Sequence, residues 1–307
     1  MSAWAIRLVV ALLVIVSAMD APAEEIRLSI GGIDAILTVP GQTALPPAAL
    51  LIAGSGPTDR DGNGPQIRPA TLKKLSDALV ARGIATMRYD KRGAGGWKPQ
   101  FGRIEDFRFR DFAGDAAALV GYLRDSGRFS RLVIIGHSEG GLVAILTARL
   151  AAVDRLVLLA TAARRQGDLL KEQLARQVPP EMLKPIADGI DAIMAGRIVD
   201  PPPPGLNIPS TLQPSFASAF NEEPIPPLKL QTQPILVAAG GHDRQVARQD
   251  FDALAAAVPK AETLWLPEMN HVLNDVSSEA DDLAAYNQPE RPLNTTLVEA
   301  IAAFIAR

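Results

Sequence analysis

Short apolar segments alternate with amphipathic segments along most of this chain of 307 residues. PAALLIAG (47–54), SRLVIIGHS (130–138) and QPILVAAGGHD (233–243) have the apolar runs of strands that are buried on both faces. DFAGDAAALVGYLRD (111–125) and LNTTLVEAIAAFIA (293–306) have apolar residues at helical spacing. We therefore predict an α/β fold, with a mostly parallel central sheet and helices on both of its faces.

One segment, residues 162–233, interrupts this alternation. It contains the helical patterns DLLKEQLARQ, EMLKPIADGIDAIMAG and SFASAFNEE, separated by proline clusters and without a convincing strand. Such a length exceeds an ordinary connection, and the periodicity favours helices over an irregular loop. We predict a core in two parts, residues 24–161 and 234–307, with a helical cap insertion, residues 162–233, over one edge of the sheet.

The N-terminal sequence MSAWAIRLVVALLVIVSAMDAPAEE has the order of a secretory signal peptide. Arg7 precedes an apolar stretch, and Ala21-Pro22-Ala23 is a small-x-small cleavage site. The uncharged run between Arg7 and Asp20 is 12 residues long, whereas a membrane anchor needs about 20. We predict a signal peptide at residues 1–23, a mature chain that begins near Glu24, no stable membrane insertion, and a periplasmic or secreted location.

Composition excludes several classes of function. The formal net charge of −3 gives no basic surface for nucleic acid or anionic lipid. Because the chain contains no cysteine, disulfides, thiolate metal sites, lipoprotein modification and a cysteine nucleophile are all excluded.

The segment IIGHSEGG places the pattern G-x-S-x-G, residues 136–140, between a predicted strand and a predicted helix. A serine on such a tight turn has its hydroxyl lifted clear of the backbone, and the flanking glycines avoid collisions with neighbouring main chain. The N-terminus of the following helix favours negative charge at this point. Ser138 is therefore the candidate nucleophile.

A serine hydroxyl needs a base, and the chain has three histidines. His137 adjoins Ser138 on the turn, and His242 directly precedes Asp243. His271 follows the last predicted strand, so the order Ser138, Asp243, His271 is the order expected of a nucleophile, an acid and a base on such a sheet.

Three other aspartates compete weakly with Asp243 for the role of the acid. Asp250 and Asp252 fall in the helical pattern RQDFDALAAAV, too far from the strand end, and we expect both on its solvent side. Asp200 lies in the proline-rich part of the cap insertion.

Together these motifs resemble the α/β-hydrolase superfamily. Ser138, Asp243 and His271 sit on its catalytic pattern, and YDKRGAGG (89–96) is similar to its D-x-R-G-x-G turn after the fourth strand. The segments GHSEGG, GGHDRQV and NHVL are similar to a bacterial exported branch of esterases and serine-aminopeptidase-like hydrolases. The resemblance covers about residues 47 to 307 and departs at Gly96-Trp97, where relatives commonly have a serine after the glycines. It implies the α/β-hydrolase fold.

The loop IAGSGPTDRDGNGP (52–65) allows three interpretations. A phosphate loop of the type G-x-G-x-x-G would need glycine where Asp59 stands. A calcium loop that begins at Asp59 would need a bidentate glutamate at Ala70. The third interpretation is a loop that presents backbone N–H groups to a charge that exists only during a reaction.

The resemblance favours this third interpretation. In α/β-hydrolases the loop after the third strand lends one N–H to the oxyanion hole, which implies Ser55 N–H here, with Glu139 N–H as the second donor. Asp59, Arg60 and Asp61 are then turn and rim residues, with substrate contact left open. We expect no cofactor and no metal.

The sequence thus predicts a serine hydrolase that cleaves carboxylic esters through an acyl-enzyme. Its expected partner is a small-molecule acyl substrate, an ester or alternatively an amide or thioester. A serine aminopeptidase-like peptidase, a thioesterase or an acyltransferase would use the same three residues. A non-catalytic binding protein on the same fold is the alternative from another class, although such proteins typically lose one of the three.

Overall fold

The computed structural model describes residues 22–41 and 43–307. The strands are β1 (Glu24–Ile30), β2 (Ile33–Val39), β3 (Ala48–Ile52), β4 (Ala85–Tyr89), β5 (Leu132–His137), β6 (Arg155–Leu159), β7 (Ile235–Gly240) and β8 (Glu262–Leu266). The helices are α1 (Thr71–Val80), α2 (Arg110–Asp125), α3 (Glu139–Thr147), α4 (Gln166–Ala175), α5 (Pro180–Met194), α6 (Gln213–Phe220), α7 (Ile225–Leu228), α8 (Arg248–Ala257), α9 (Glu279–Ala285) and α10 (Thr295–Ala306). The predicted signal peptide, residues 1–23, lies outside the described residues apart from Pro22 and Ala23.

The strands form one sheet in the order β1-β2-β4-β3-β5-β6-β7-β8. The six strands β3 to β8 pair in parallel, and β2 pairs antiparallel with both β1 and β4. This confirms the predicted fold class. Because parallel strands end at a common edge, the loops after β3, β5, β7 and β8 meet at the carboxyl edge, where open α/β sheets bind ligands.

Helices cover both faces of the sheet, as predicted. Along β3, Leu50 and Ile52 pack toward α2, α3 and α8. The alternate residue Leu51 packs toward α1 and α10 on the other face. Each such leucine or isoleucine contributes about 1.5–3 kcal/mol when it is fully buried. The two layers hold the sheet rigid, so its carboxyl edge is a fixed base for the loops.

Helices α4, α5 and α6 correspond to the three helical patterns of the cap insertion. They enclose a small apolar cluster of their own, formed by Ile186, Ile190, Ile193, Leu206, Ile208 and Phe220. Helix α7 returns to the main core through the buried Leu228. The limits assigned to the cap insertion, residues 162–233, stay a prediction. Within the described part of the chain, no helix is both long and apolar enough to cross a membrane.

Asp250 lies inside the protein, and its predicted place on the solvent side of α8 is wrong. Its side chain is fully buried and accepts hydrogen bonds from Ala163 N–H at 3.0 Å and from the Arg164 guanidinium at 2.9 and 2.8 Å. Arg164 also pairs with Glu172 of α4. The helical pattern places Asp250 on α8, but it does not show that Arg164, at the start of the cap insertion, packs against this helix and covers the carboxylate. Asp250 therefore anchors the cap insertion to the core.

Replacing Asp250 by asparagine should destabilise the protein, since the amide gives up the charged bond to Arg164. We expect Asp250→Asn to lower the free energy of unfolding by about 1–3 kcal/mol. The matched change Asp252→Asn, at an exposed pair with Arg248, should cost about 0–1 kcal/mol. Urea unfolding of both variants measures the difference, and equal costs would contradict the anchoring role.

Candidate active site

Ser138 occupies the turn between β5 and α3 in a strained backbone conformation. Its φ is 56° and its ψ is −123°, a region that residues other than glycine rarely adopt and that occurs mainly at functional sites. The turn is held by the Ser138 N–H, which donates to Leu159 O at 2.8 Å, and by the Gly141 N–H, which donates to Ser138 O at 2.9 Å. Strand, turn and helix thus have the arrangement that the G-x-S-x-G pattern requires.

The glycines around Ser138 are needed because main chain approaches them closely. A Cβ at Gly136 would overlap Gly140 O, and a Cβ at Gly140 would overlap Ile52 O of β3. At Gly141 the overlap would be with the Thr161 side chain. Any larger residue would push α3 away from the sheet and displace the turn.

Asp243 and His271 are in direct contact at the carboxyl edge. His271 Nδ1 lies 2.8 Å from Asp243 Oδ2, and the two side chains are 5% and 0% exposed. Since an ionised carboxylate only accepts, Nδ1 carries the hydrogen, and Nε2 of the neutral ring keeps its lone pair. Asp243 Oδ1 accepts from Gln245 N–H at 2.7 Å and Val246 N–H at 2.9 Å. These bonds fix the carboxylate against the ring.

Ser138 and His271 line the same small cavity, together with Gly54 and Ser55. Within the described part of the chain, the Ser138 hydroxyl makes no hydrogen bond, so only two of the three predicted side chains are joined directly. The cavity has a volume of about 100 Å³. A larger cavity of about 290 Å³ adjoins it and shares Ser55, Ser138 and Gln245.

The other acidic and histidine candidates lie elsewhere. His242 Nε2 is 3.7 Å from Glu268 Oε2 at the surface, and Asp200 is exposed in the cap insertion. His137 is buried, and its Nε2 is 2.8 Å from His271 O. Asp243 and His271 are thus the predicted acid and base that the structure brings into contact, and their roles stay a prediction.

His137 has a positioning role that the sequence reasoning missed. Because a carbonyl oxygen only accepts, His137 Nε2 carries the hydrogen and donates it to the main chain of His271. Burial, and then the nearby His271 ring, lower the pKa of His137 to about 4. A neutral His137 thus ties the loop after β8 to the end of β5. The one sequence feature that could have indicated this role is a histidine at the end of a buried strand, next to the candidate nucleophile.

The charged residues of the loop after β3 stabilise the loop itself. Asp59 Oδ1 accepts from Asp61 N–H at 2.9 Å and from Asn63 N–H at 2.8 Å. The Arg60 side chain pairs with Asp90, and the Asp61 side chain pairs with the buried Arg88. Asp59, Arg60 and Asp61 therefore stabilise the turn, as predicted. None of the three lines either cavity next to Ser138. Within the described residues, no group of three or more His, Asp or Glu side chains could hold a metal ion.

The pKa of His137 makes folding depend on pH. An unfolded histidine takes up a proton below about pH 6.5, whereas folded His137, with its pKa of about 4, stays neutral until the pH approaches that value. The contribution of His137 to the free energy of unfolding is therefore complete above pH 6.5 and is lost as the pH falls toward 4. At 1.36 kcal/mol per pKa unit, the total loss is about 3 kcal/mol. When the pH is lowered from about 7.5 to about 4.5, the free energy of unfolding should therefore fall less in His137→Gln than in the wild type. Urea unfolding of both proteins at the two pH values measures this difference. His242→Gln is the surface control, and a wild-type slope in His137→Gln would contradict this account.

Comparisons with known proteins show what this chain is similar to. Residues 70–196 match the family model described as serine aminopeptidase, S33. Esterase EstD of Thermotoga maritima is 23% identical over 289 residues, which cover 92% of this chain and 68% of the relative. Among solved structures, Est1E from Butyrivibrio proteoclasticus with bound ferulic acid has a TM-score of 0.58 at 17% identity, covering 92% of this chain and 100% of that one. The α/β hydrolase GrgF from Penicillium sp. sh18 has a TM-score of 0.59 at 14% identity, covering 94% and 99%. The likeness to solved structures shows the α/β-hydrolase fold, and the family model and the esterase relative support a hydrolase of ester type.

Proposed function

We propose that this protein hydrolyses carboxylic esters through an acyl-enzyme formed on Ser138. The observation that carries the proposal is the His271–Asp243 pair, whose histidine lines one cavity together with Ser138. The pair leaves the Nε2 lone pair of His271 for the serine proton. The strained turn presents the Ser138 hydroxyl above the N-terminus of α3.

The proposed reaction has two halves. Ser138 Oγ attacks the acyl carbon while His271 Nε2 takes its proton, and Asp243 stabilises the resulting imidazolium. His271 then gives this proton to the leaving alcohol as the C–O bond of the ester breaks. In the second half, water attacks the acyl-enzyme with His271 as base, and the acid and Ser138 are released. These steps use side chains and water alone, without a metal or cofactor.

We assign the oxyanion hole to two backbone N–H groups. The Ser55 N–H and the Glu139 N–H have no hydrogen-bond acceptor among the described residues, and both residues line the larger cavity with Ser138. Glu139 is the first residue of α3, so the helix dipole adds to its donor. In related chemistry one such donor contributes about 3 kcal/mol to the transition state.

The size and the apolar lining of the larger cavity favour a substrate with a small apolar acyl or alcohol group. Its apolar lining from the cap insertion includes Leu169, Leu170, Phe216, Ala219 and Phe220, with Leu142 and Val246 from the core. Its volume of about 290 Å³ is at the low end of small-molecule sites, which are typically about 300–1,000 Å³. We infer that the cap insertion selects the substrate while the loops of the core perform the chemistry.

A peptidase that removes N-terminal residues is the second candidate, favoured by the description of the matching family model. It would need a carboxylate to hold the substrate amine. Among the described residues that line the larger cavity, Glu139 is the one carboxylate, and its side chain pairs with Lys91 at 2.8 Å. This arrangement favours an ester. A thioesterase or an acyltransferase would differ only in the leaving group or the acceptor.

We also propose export, with residues 1–23 as a cleaved signal and with small acyl compounds rather than nucleic acid as partners. The short apolar run before Ala21-Pro22-Ala23 supports the first point, and the net charge of −3 supports the second. The first strand of the sheet begins at Glu24, so cleavage there would leave the sheet complete.

Ser138→Ala should abolish ester hydrolysis and leave the fold intact, since the change removes one oxygen that makes no hydrogen bond to any described residue. The activity is best screened with p-nitrophenyl esters of graded acyl length against aminoacyl-nitroanilides. We expect turnover of short esters by the wild type and little turnover of the anilides. Wild-type activity in purified, folded Ser138→Ala would show that the nucleophile is wrong. Preferential cleavage of the anilides would favour the peptidase.

Asp243→Asn should keep the shape of the site yet hold His271 in the wrong tautomer, because the amide N–H would donate to Nδ1. In a comparable triad the loss in kcat is on the order of 10⁴-fold. The same change at the exposed Asp252 should leave kcat within a few-fold, as should Asp200→Asn. A normal Asp243→Asn beside an inactive Asp200→Asn would move the acid into the cap insertion.

The export proposal predicts a mature N-terminus near Glu24. N-terminal sequencing of the protein from the periplasmic or secreted fraction of its host measures this directly. An intact Met1 on cytosolic protein would contradict it.

A further inference from the structure

Lys91 is a buried cation beside the candidate site. It follows β4, and its side chain is 0% exposed. Its Nζ donates to Gly54 O at 2.5 Å and to Glu139 Oε1 at 2.8 Å, and it lies 4.8 Å from the centre of the Phe112 ring. A buried ammonium persists only where such partners replace water.

The two partners of Lys91 belong to the two segments that carry the oxyanion donors. Gly54 O and Ser55 N–H are the two ends of one peptide group. This group is planar and trans, so the N–H points away from the C=O. A donor fixed on Gly54 O therefore fixes the direction of Ser55 N–H. Glu139 is held through its side chain, and its own N–H is the second donor.

We propose that Lys91 is a positioning residue that sets the oxyanion hole, by holding the Gly54–Ser55 peptide and Glu139 in one fixed relation. This inference rests on the proposed function of Ser138. The cation also polarises the Gly54–Ser55 peptide, because a hydrogen bond at the carbonyl strengthens donation from the N–H of the same group. Lys91 acts through these two residues and contacts neither the acyl carbon nor Ser138.

The topology explains why Lys91 can reach both segments. Strand β3 lies between β4 and β5, so the loop after β4 comes alongside the loop after β3 and, beyond it, the turn at Ser138. The flanking charges of the same motif are used elsewhere, since Asp90 pairs with Arg60 and Arg92 pairs with Asp115. Within the D-x-R-G-x-G turn, Lys91 is thus the charge directed at the site.

The test compares Lys91→Met with the matched control Lys74→Met. Methionine keeps an unbranched apolar stem as far as Cε but removes the ammonium group, and with it both hydrogen bonds and the cation–π contact with Phe112. Lys74 also donates from a half-buried Nζ to a main-chain carbonyl, at Arg291, and it lines neither cavity next to Ser138. We expect kcat for a p-nitrophenyl ester to fall by about 10²-fold in Lys91→Met, the scale of one lost oxyanion donor. KM should change little, and Lys74→Met should match the wild type.

A second readout separates positioning from a general structural role. A trifluoromethyl ketone adds to the serine and places its oxyanion in the hole, so its affinity should weaken by the same factor as kcat/KM. The corresponding thionoester places sulfur there, so its hydrolysis should fall much less than that of the oxygen ester. The pH at half-maximal rate should not move, because the His271–Asp243 pair is untouched.

Two outcomes would overturn the inference. One is a wild-type kcat in folded Lys91→Met, and the other is equal losses for the oxygen ester and the thionoester with unchanged ketone affinity. If Lys91→Met does not fold, the double variant Lys91→Met/Glu139→Gln removes the orphaned charge and should show the same pattern of losses. Loss of activity in Ser138→Ala with a normal Lys91→Met would reject the role of Lys91 alone, whereas an active Ser138→Ala would reject the proposed function itself.

Discussion

The close approach of α3 to the sheet fixes the geometry of the candidate site. Gly140 lies against the carbonyl of Ile52, and Gly136 lies against Gly140. At these distances even one methyl group would push the helix outward, and the turn would carry Ser138 and the Glu139 N–H with it. The strained backbone of Ser138 persists because the surrounding strands and helix leave it no alternative.

Buried polar bonds, rather than apolar packing, hold the loops of the carboxyl edge to this turn. His137 donates to the main chain of His271, and Lys91 joins Gly54 to Glu139. A buried polar group costs about 1–3 kcal/mol when it loses its partner. Each of these bonds therefore restrains a loop more sharply than a leucine contact would, because it has one direction and one acceptor. This precision is what a reaction with a charged transition state requires.

The cap insertion has a different physical character. It has a small apolar cluster of its own, and it is fixed to the core through the buried Asp250 and Arg164. Its inner side chains make most of the apolar wall of the larger cavity. The structure thus separates the candidate catalytic groups, on loops of a rigid sheet, from the surface that would select the substrate. Changes in the cap insertion could then alter the preferred ester without disturbing the groups around Ser138.

The sequence alone determined the elements and their order, because apolar runs, helical spacing and the G-x-S-x-G pattern are local properties. It also singled out Ser138, Asp243 and His271, since each follows the end of a strand and parallel strands end at one edge. Whether these residues carry the reaction remains a prediction.

Only the tertiary structure decided which polar residues serve the site. Asp250 was expected to face solvent because its helical pattern does not show Arg164, which lies 86 positions away in the sequence. Sequence patterns assign no role to Lys91 or to His137, because their partners, Gly54 and His271, belong to other loops. The sequence determines which side chains are charged. Which partner each of them meets depends on which strands are neighbours, and the strand order exists only in the assembled sheet.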